Sequence, residues 1–156
     1  MEGARDPEPA LLRRLGRFIV HWSFVERLVQ DIFVHLTNAE PALMTVVTAN
    51  VSQKSISEWV TTLLDITPNP PDWDLEVRDV LSEIDDLRPE RNMLVHGLWS
   101  TDSAPGSVVV QTIRIDRSEI VQGVVVTTAD LDHLIDRTLG VSARLVALVK
   151  HFRIPL

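Results

Sequence analysis

The chain has 156 residues, 45% of them apolar and 24% charged, which is the balance of a soluble globular protein with one core and no room for two of ordinary size. It contains no cysteine, which excludes a disulfide framework, a thiolate metal site and a cysteine nucleophile. The formal charge of −7 is concentrated in residues 38–97, where four basic face eleven acidic side chains, and this argues against a broad basic face for coating DNA or RNA.

Residues 1–10 (MEGARDPEPA) mix prolines, a glycine and both charge signs, and read as a disordered tail. Residues 11–156 read as a single helical domain. Leu15, Ile19, Trp22, Glu26, Val29, Phe33 and Leu36 recur at alternating steps of four and three, one face of a long first helix. One member of that face is a carboxylate, Glu26. Arg13, Arg14 and Arg17 form a basic patch near the start of the helix and read as a solvated face.

Asn38 and Pro41 break this pattern, so residues 38–51 read as a turn with a short helical piece. A second helix follows from about Ser52 and turns Ile56, Trp59, Val60, Leu63 and Leu64 inward, until the prolines of TPNPPDW stop it. Lys54 stands at its start, where the helix dipole does not favour a cation, and is a candidate substrate-binding residue. The third helix begins near Asp72, a candidate N-cap, and carries the stripe Trp73, Val77, Val80, Ile84, Leu87, Arg91 and Leu94. Pro89 lies inside the stripe and predicts a kink or a restart. Trp22, Trp59 and Trp73 sit on apolar stripes and read as core.

After Gly97 the texture changes. LWSTD, SVVVQTIRI and IVQGVVVT are short β-rich runs that predict a small antiparallel hairpin or meander. Thr127, with Asp130 three residues on, marks the start of a last helix on Leu131, Leu134, Thr138, Val141, Leu145, Leu148 and Phe152. Gly140 within it marks a candidate close helix crossing. The fold class expected is mainly α, a four-helix bundle with the β hairpin or meander inserted between helices three and four. No stretch approaches 18 apolar residues and MEGARDPEP has no apolar signal region, so a cytoplasmic protein without a membrane span is expected.

The stretch RPERNMLVHGLW, residues 88–99, places Arg91, Asn92 and His96 in one short run before Gly97. A helix end alone accounts for part of it, because the dipole favours a histidine in the last turn and a glycine supplies a left-handed C′ position. Arg91 is harder to explain that way. It interrupts an apolar stripe, and a buried guanidinium persists only when paired. Glu26 interrupts the stripe of the first helix in the same way, so the expected solution pairs the Glu26 carboxylate with Arg91 or its neighbours Asn92 and His96. On an ideal helix Arg91 and His96 point about 140° apart, which predicts an open site. Trp99, beside the motif, is a candidate for stacking on a base. His21 and His35 lack metal-type spacing, and no Gly-rich phosphate loop or nucleophile elbow is present, so neither a metal nor a cofactor is expected.

Arg91-Asn92-Met93-Leu94-Val95-His96 resembles the Arg-polar-x-x-x-His signature of the HEPN superfamily, small helical bundles of which many are metal-independent endoribonucleases. In that superfamily the signature lies towards the end of the third long helix, as it does here, and two copies face each other across a homodimer. The β excursion and the acidic third helix are not part of the shared pattern. The resemblance implies an RNA substrate, His96 as general acid/base, Arg91 on the phosphate and Asn92 in support. It also implies a toxin or phage-defence role, a toxin having a cognate antitoxin as partner. The alternative reading is a non-catalytic HEPN-like dimer that binds a nucleotide, RNA or a protein partner.

Overall fold

Proline, asparagine and glycine set the boundaries of five helices in the computed structural model, which describes residues 7–101, 104–114, 119–120 and 123–151. Helix α1 (Pro9–Thr37) starts two residues earlier than the periodicity indicates, so Pro9 and Ala10 belong to it; residues 1–6 lie outside the described residues. It ends at Asn38, whose φ of +50° is the left-handed conformation that asparagine tolerates better than most side chains. The short helical piece is α2 (Pro41–Thr48), with proline in its first turn. Helix α3 (Gln53–Ile66) is capped by Ser52, whose hydroxyl accepts the Ser55 amide at 3.1 Å.

Helix α4 (Pro71–His96) begins one residue before Asp72, so Asp72 is not its N-cap. Asp72 and Asp74 instead sit in the first turn, where carboxylates complement the dipole. The helix runs without a break through Pro89, so it does not restart there, although proline removes the amide that would bond the Asp85 carbonyl. Strands β1 (Leu98–Thr101), β2 (Ser107–Gln111) and β5 (Val124–Thr127) form an antiparallel sheet in the order β1-β2-β5. β3 (Ile113–Arg114) and β4 (Glu119–Ile120) pair separately as a two-stranded ribbon. Helix α5 (Thr128–His151) is the last described element, and Phe152, expected on its stripe, lies outside the described residues. The protein is thus mainly helical, with a small three-stranded antiparallel sheet between α4 and α5.

The buried side chains show which periodicities held. On α4 every apolar member of the expected stripe is buried, and on α5 so are Leu131, Leu134, Thr138, Val141, Leu145 and Leu148. On α1 Trp22, Val29, Phe33 and Leu36 are buried as expected, but towards its start the buried face is rotated: Leu11 and Phe18 are buried, while Leu15 is half-buried and Ile19 is 39% exposed. Glu26 falls at the edge of that stripe and is half-buried. Trp22 and Trp73 are core, but Trp59 is 39% exposed and packs one side of its ring on Phe33, centroid to centroid 5.6 Å. Gly140 is exposed, and a Cβ built on it meets nothing within 4 Å, so it marks no helix crossing.

The chain groups into two compact units, to which α1, α4 and α5 each contribute one part. The first, Met1–Val20 with Asp86–Arg137, holds the sheet and the end of α4. Val108 and Val110 of β2 and Val126 of β5 are buried on one face, as a period of two requires. In this unit Arg14 Nε donates to both Asp132 oxygens, at 2.9 and 3.0 Å. The second unit, His21–Asp85 with Thr138–Leu156, holds α2 and α3. There Arg144 reaches Glu76 at 2.6 Å, Asp79 at 2.6 Å and Glu83 at 3.0 Å, and the bond to Glu76, then that to Asp79, raises its pKa further. No helix among the described residues is long and apolar enough to cross a membrane.

The start of α5 makes a testable stability element. Thr127 Oγ1 accepts the Asp130 amide at 3.2 Å, and Asp130 Oδ2 accepts the Thr127 amide at 2.8 Å and its hydroxyl at 2.7 Å, a reciprocal capping box. The bond from the Thr127 hydroxyl, then that from its amide, holds the Asp130 carboxyl below the usual carboxylate range. A depressed folded pKa gives stability that is complete above the unfolded value and lost as pH falls through the folded one. Asp130→Ala should therefore cost about 1 kcal/mol in urea unfolding at neutral pH. The difference from wild type should fade below about pH 4. A pH-independent difference would contradict the capping role.

Candidate active site

The last turns of α4 carry the motif, and the chain then reverses into β1. Gly97 makes this turn possible, though not as a left-handed C′ residue: its φ is not in the positive range. Its amide donates to the Met93 carbonyl at 2.9 Å, closing the helix. A Cβ at position 97 would overlap the Met93 carbonyl oxygen and the Val110 methyl Cγ1, so glycine is required for space. One residue on, half-buried Trp99 donates its indole Nε1 to the Leu94 carbonyl at 3.0 Å. That bond satisfies one of the carbonyls left unpaired at a helix end and fixes the indole as a structural anchor of the turn.

This geometry brings Arg91, Asn92 and His96 together. The half-buried Arg91 guanidinium donates from Nη1 to Asn92 Oδ1 at 3.1 Å and lies 3.5 Å from His96 Nε2. Although the two positions point about 140° apart on an ideal helix, the length of the arginine side chain spans the difference. The pair is therefore closed within one chain, contrary to the open arrangement expected from the helical step. A guanidinium has donors only, so the contact is a hydrogen bond when Nε2 carries no proton, the form in which an imidazole acts as a base. His96 and Asn92 are exposed, and both project from a helix rather than from a loop.

Asn92 and His96 line a cleft of about 400 Å³, together with Pro89, Met93 and Thr112. Proline thus walls the site without restarting the helix. Thr112 carries no motif signal in the sequence. It reaches the cleft because the antiparallel pairing of Leu98 with Gln111 returns the end of β2 to the end of α4.

Glu26 and Lys54 belong to the second unit and Arg91, Asn92 and His96 to the first, so the pairing expected of Glu26 joins residues of different units. Within its own unit Glu26 Oε1 accepts Trp22 Nε1 at 2.7 Å. Lys54 is exposed and lies 3.7 Å from Glu58 one helical turn on, an ordinary surface ion pair. Among the described residues no group of three His, Asp or Glu side chains is placed to hold a metal ion. Comparison with protein-family models, with characterised proteins and with solved structures finds no match to this chain.

Proposed function

We propose that the chain is a metal-independent endoribonuclease of the HEPN type, a four-helix bundle with an inserted sheet, in which His96 moves protons and Arg91 binds the scissile phosphate. The observation that carries this reading is the 3.5 Å approach of Arg91 Nη1 to Nε2 of His96, which with Asn92 lines a cleft of about 400 Å³. Cleavage begins when the ribose 2′-hydroxyl, losing its proton to a base, attacks phosphorus. The bond to the 5′-oxygen then breaks and that oxygen takes up a proton, which leaves a 2′,3′-cyclic phosphate and a 5′-hydroxyl. His96 supplies a group able to take or give the proton, and Arg91 can pair with two phosphorane oxygens as negative charge develops on them. Asn92, bonded to Arg91, limits the swing of the guanidinium. Two such pairs facing each other in a homodimer would divide the acid and base roles between two histidines. A toxin or phage-defence role and a cognate antitoxin belong to the same proposal.

The mechanism uses the internal 2′-hydroxyl as nucleophile and does not call on a metal-activated water. Incubation with total RNA in EDTA should therefore give fragments ending in a cyclic phosphate or its hydrolysis product. Activity that EDTA abolishes and magnesium restores would sink the mechanism. A stable monomer at micromolar concentration in sedimentation would remove the paired-histidine arrangement. Absence of cleavage at all would leave the Arg91–His96 pair as part of a non-catalytic binding module.

A further inference from the structure

The first three turns of α1 bury one side and leave the other in solvent. Leu11 and Phe18 are buried, whereas Leu12 is 45%, Ile19 39% and Val20 67% exposed. By the 100° step of a helix, Leu12, Gly16, Ile19 and Val20 fall within about 100° of one another, and Arg13 and Arg17 occupy the next ~60°. All six residues belong to the first unit. Leu12, Gly16 and Ile19 keep the four-three spacing of a seam between two helices. A Cβ built on Gly16 meets nothing within 4 Å, so the helix gains no packing from glycine here and gives up propensity for it. The absent side chain leaves a notch between Leu12 and Ile19. The charges beside the seam are not neutralised. Arg14, on another face, is held by Asp132, while Arg27 lies 3.0 Å from Asp31 and Arg78 2.8 Å from Asp65. Arg13 and Arg17, both exposed and one helical turn apart, have no hydrogen bond or ion pair among the described residues.

We propose that this face docks an acidic amphipathic helix of a partner protein. An apolar side chain of that helix fills the notch at Gly16, and its carboxylates meet Arg13 and Arg17. Charge complementarity selects this occupant: two cations flank the seam in a chain whose net charge is −7. Other occupants fit less well. A second copy of the same face would bring four arginines together. Single-stranded nucleic acid binds by stacking its bases on aromatic rings, and these six positions include none. A helix that lies on an anionic membrane carries a denser basic flank and aromatic anchors. The docking face does not rest on the chemistry of His96.

The probe is a fluorescein-labelled peptide of three heptads, with leucine and isoleucine at the seam and glutamate at the positions that flank it. The full chain is titrated into it and binding is followed by anisotropy, with the same peptide carrying lysine for glutamate as control. The glutamate peptide should bind saturably at micromolar concentration, and the lysine peptide about a hundredfold more weakly. Arg13→Glu combined with Arg17→Glu should reverse that preference, a gain that unfolding cannot imitate. Gly16→Leu fills the notch and should weaken the glutamate peptide about tenfold. The same variant should raise the unfolding temperature of the free chain, because leucine is the better helix former. That second readout separates loss of the face from loss of the fold. His96→Ala should bind the peptide like wild type, so failure of the ribonuclease reading leaves this result untouched. Equal affinity for the two peptides, or no saturation by the glutamate peptide at about 100 μM, overturns the proposal. So does binding of total RNA or of phosphatidylserine vesicles that the double arginine variant abolishes and the glutamate peptide does not displace, which assigns the face to that other partner.

Discussion

His96→Ala is expected to slow RNA cleavage by about 10²–10⁴-fold, the range that a positioned general acid or base contributes, with little change in stability. The separation of the two effects follows from where the side chain sits. His96 is exposed, in the last turn of α4, and its Nε2 lies 3.5 Å from Nη1 of the Arg91 guanidinium. A histidine there stabilises the helix end by about 0.3–1 kcal/mol through the dipole. Initial rates on a fluorogenic RNA, measured beside urea unfolding, give both quantities from one preparation. Arg91→Lys sharpens the test, because lysine keeps the charge but loses the two-pronged contact with phosphate oxygens, and its rate should fall while substrate affinity falls less. If His96→Ala loses several kcal/mol of stability, the histidine is a structural cap. Cleavage that persists in the variant would exclude it as the proton-transfer group.

Where the helical pattern was single-faced, the sequence specified burial. The α4 stripe from Trp73 to Leu94 is apolar on one side and strongly acidic on the other, so only one phase fits. Helix α1 is different. Leu12, Ile19, Val20 and Phe24 are exposed apolar residues opposite Leu11, Phe18, Trp22 and Val25, so two phases fit its first half. A strict alternation of four and three also drifts by about 20° per heptad from a straight helix, which separates the stripe drawn through Leu15 and Ile19 from the buried one. Trp59 was misplaced because α3 buries Ile56, Val60 and Leu64 and leaves position 59 at the margin, where the ring covers Phe33.

The motif residues Arg91, Asn92 and His96 were legible because their spacing is local. Thr112 was not, since its place at the cleft depends on strand register, a contact between distant parts of the chain.

Gly97→Ala is expected to destabilise the protein by about 1–3 kcal/mol, the cost of forcing atoms into a filled site. The added methyl would overlap the Met93 carbonyl oxygen and Val110 Cγ1, and it would lie 3.2 Å from the Gln111 carbonyl oxygen. Two of these neighbours are backbone. The Met93 carbonyl is held by the Gly97 amide at 2.9 Å, and Gln111 pairs with Leu98 in the sheet. The third, Val110, is 1% exposed and has no solvent to turn into. Relief must therefore come from moving the end of α4 against β2, which also displaces His96 from Arg91. Cleavage should fall together with stability in this variant, in contrast to His96→Ala. Asparagine gives a further discrimination. At a left-handed C′ position asparagine is the best substitute for glycine, whereas in a space-limited turn its larger side chain makes it worse than alanine. The expected order of stability in urea unfolding is thus glycine, alanine, asparagine. Adding Val110→Ala to Gly97→Ala removes one of the overlaps, so the double variant should lose less than the sum of its single losses. Asparagine equal to glycine, or strict additivity in the double variant, would show that the turn is limited by something other than space.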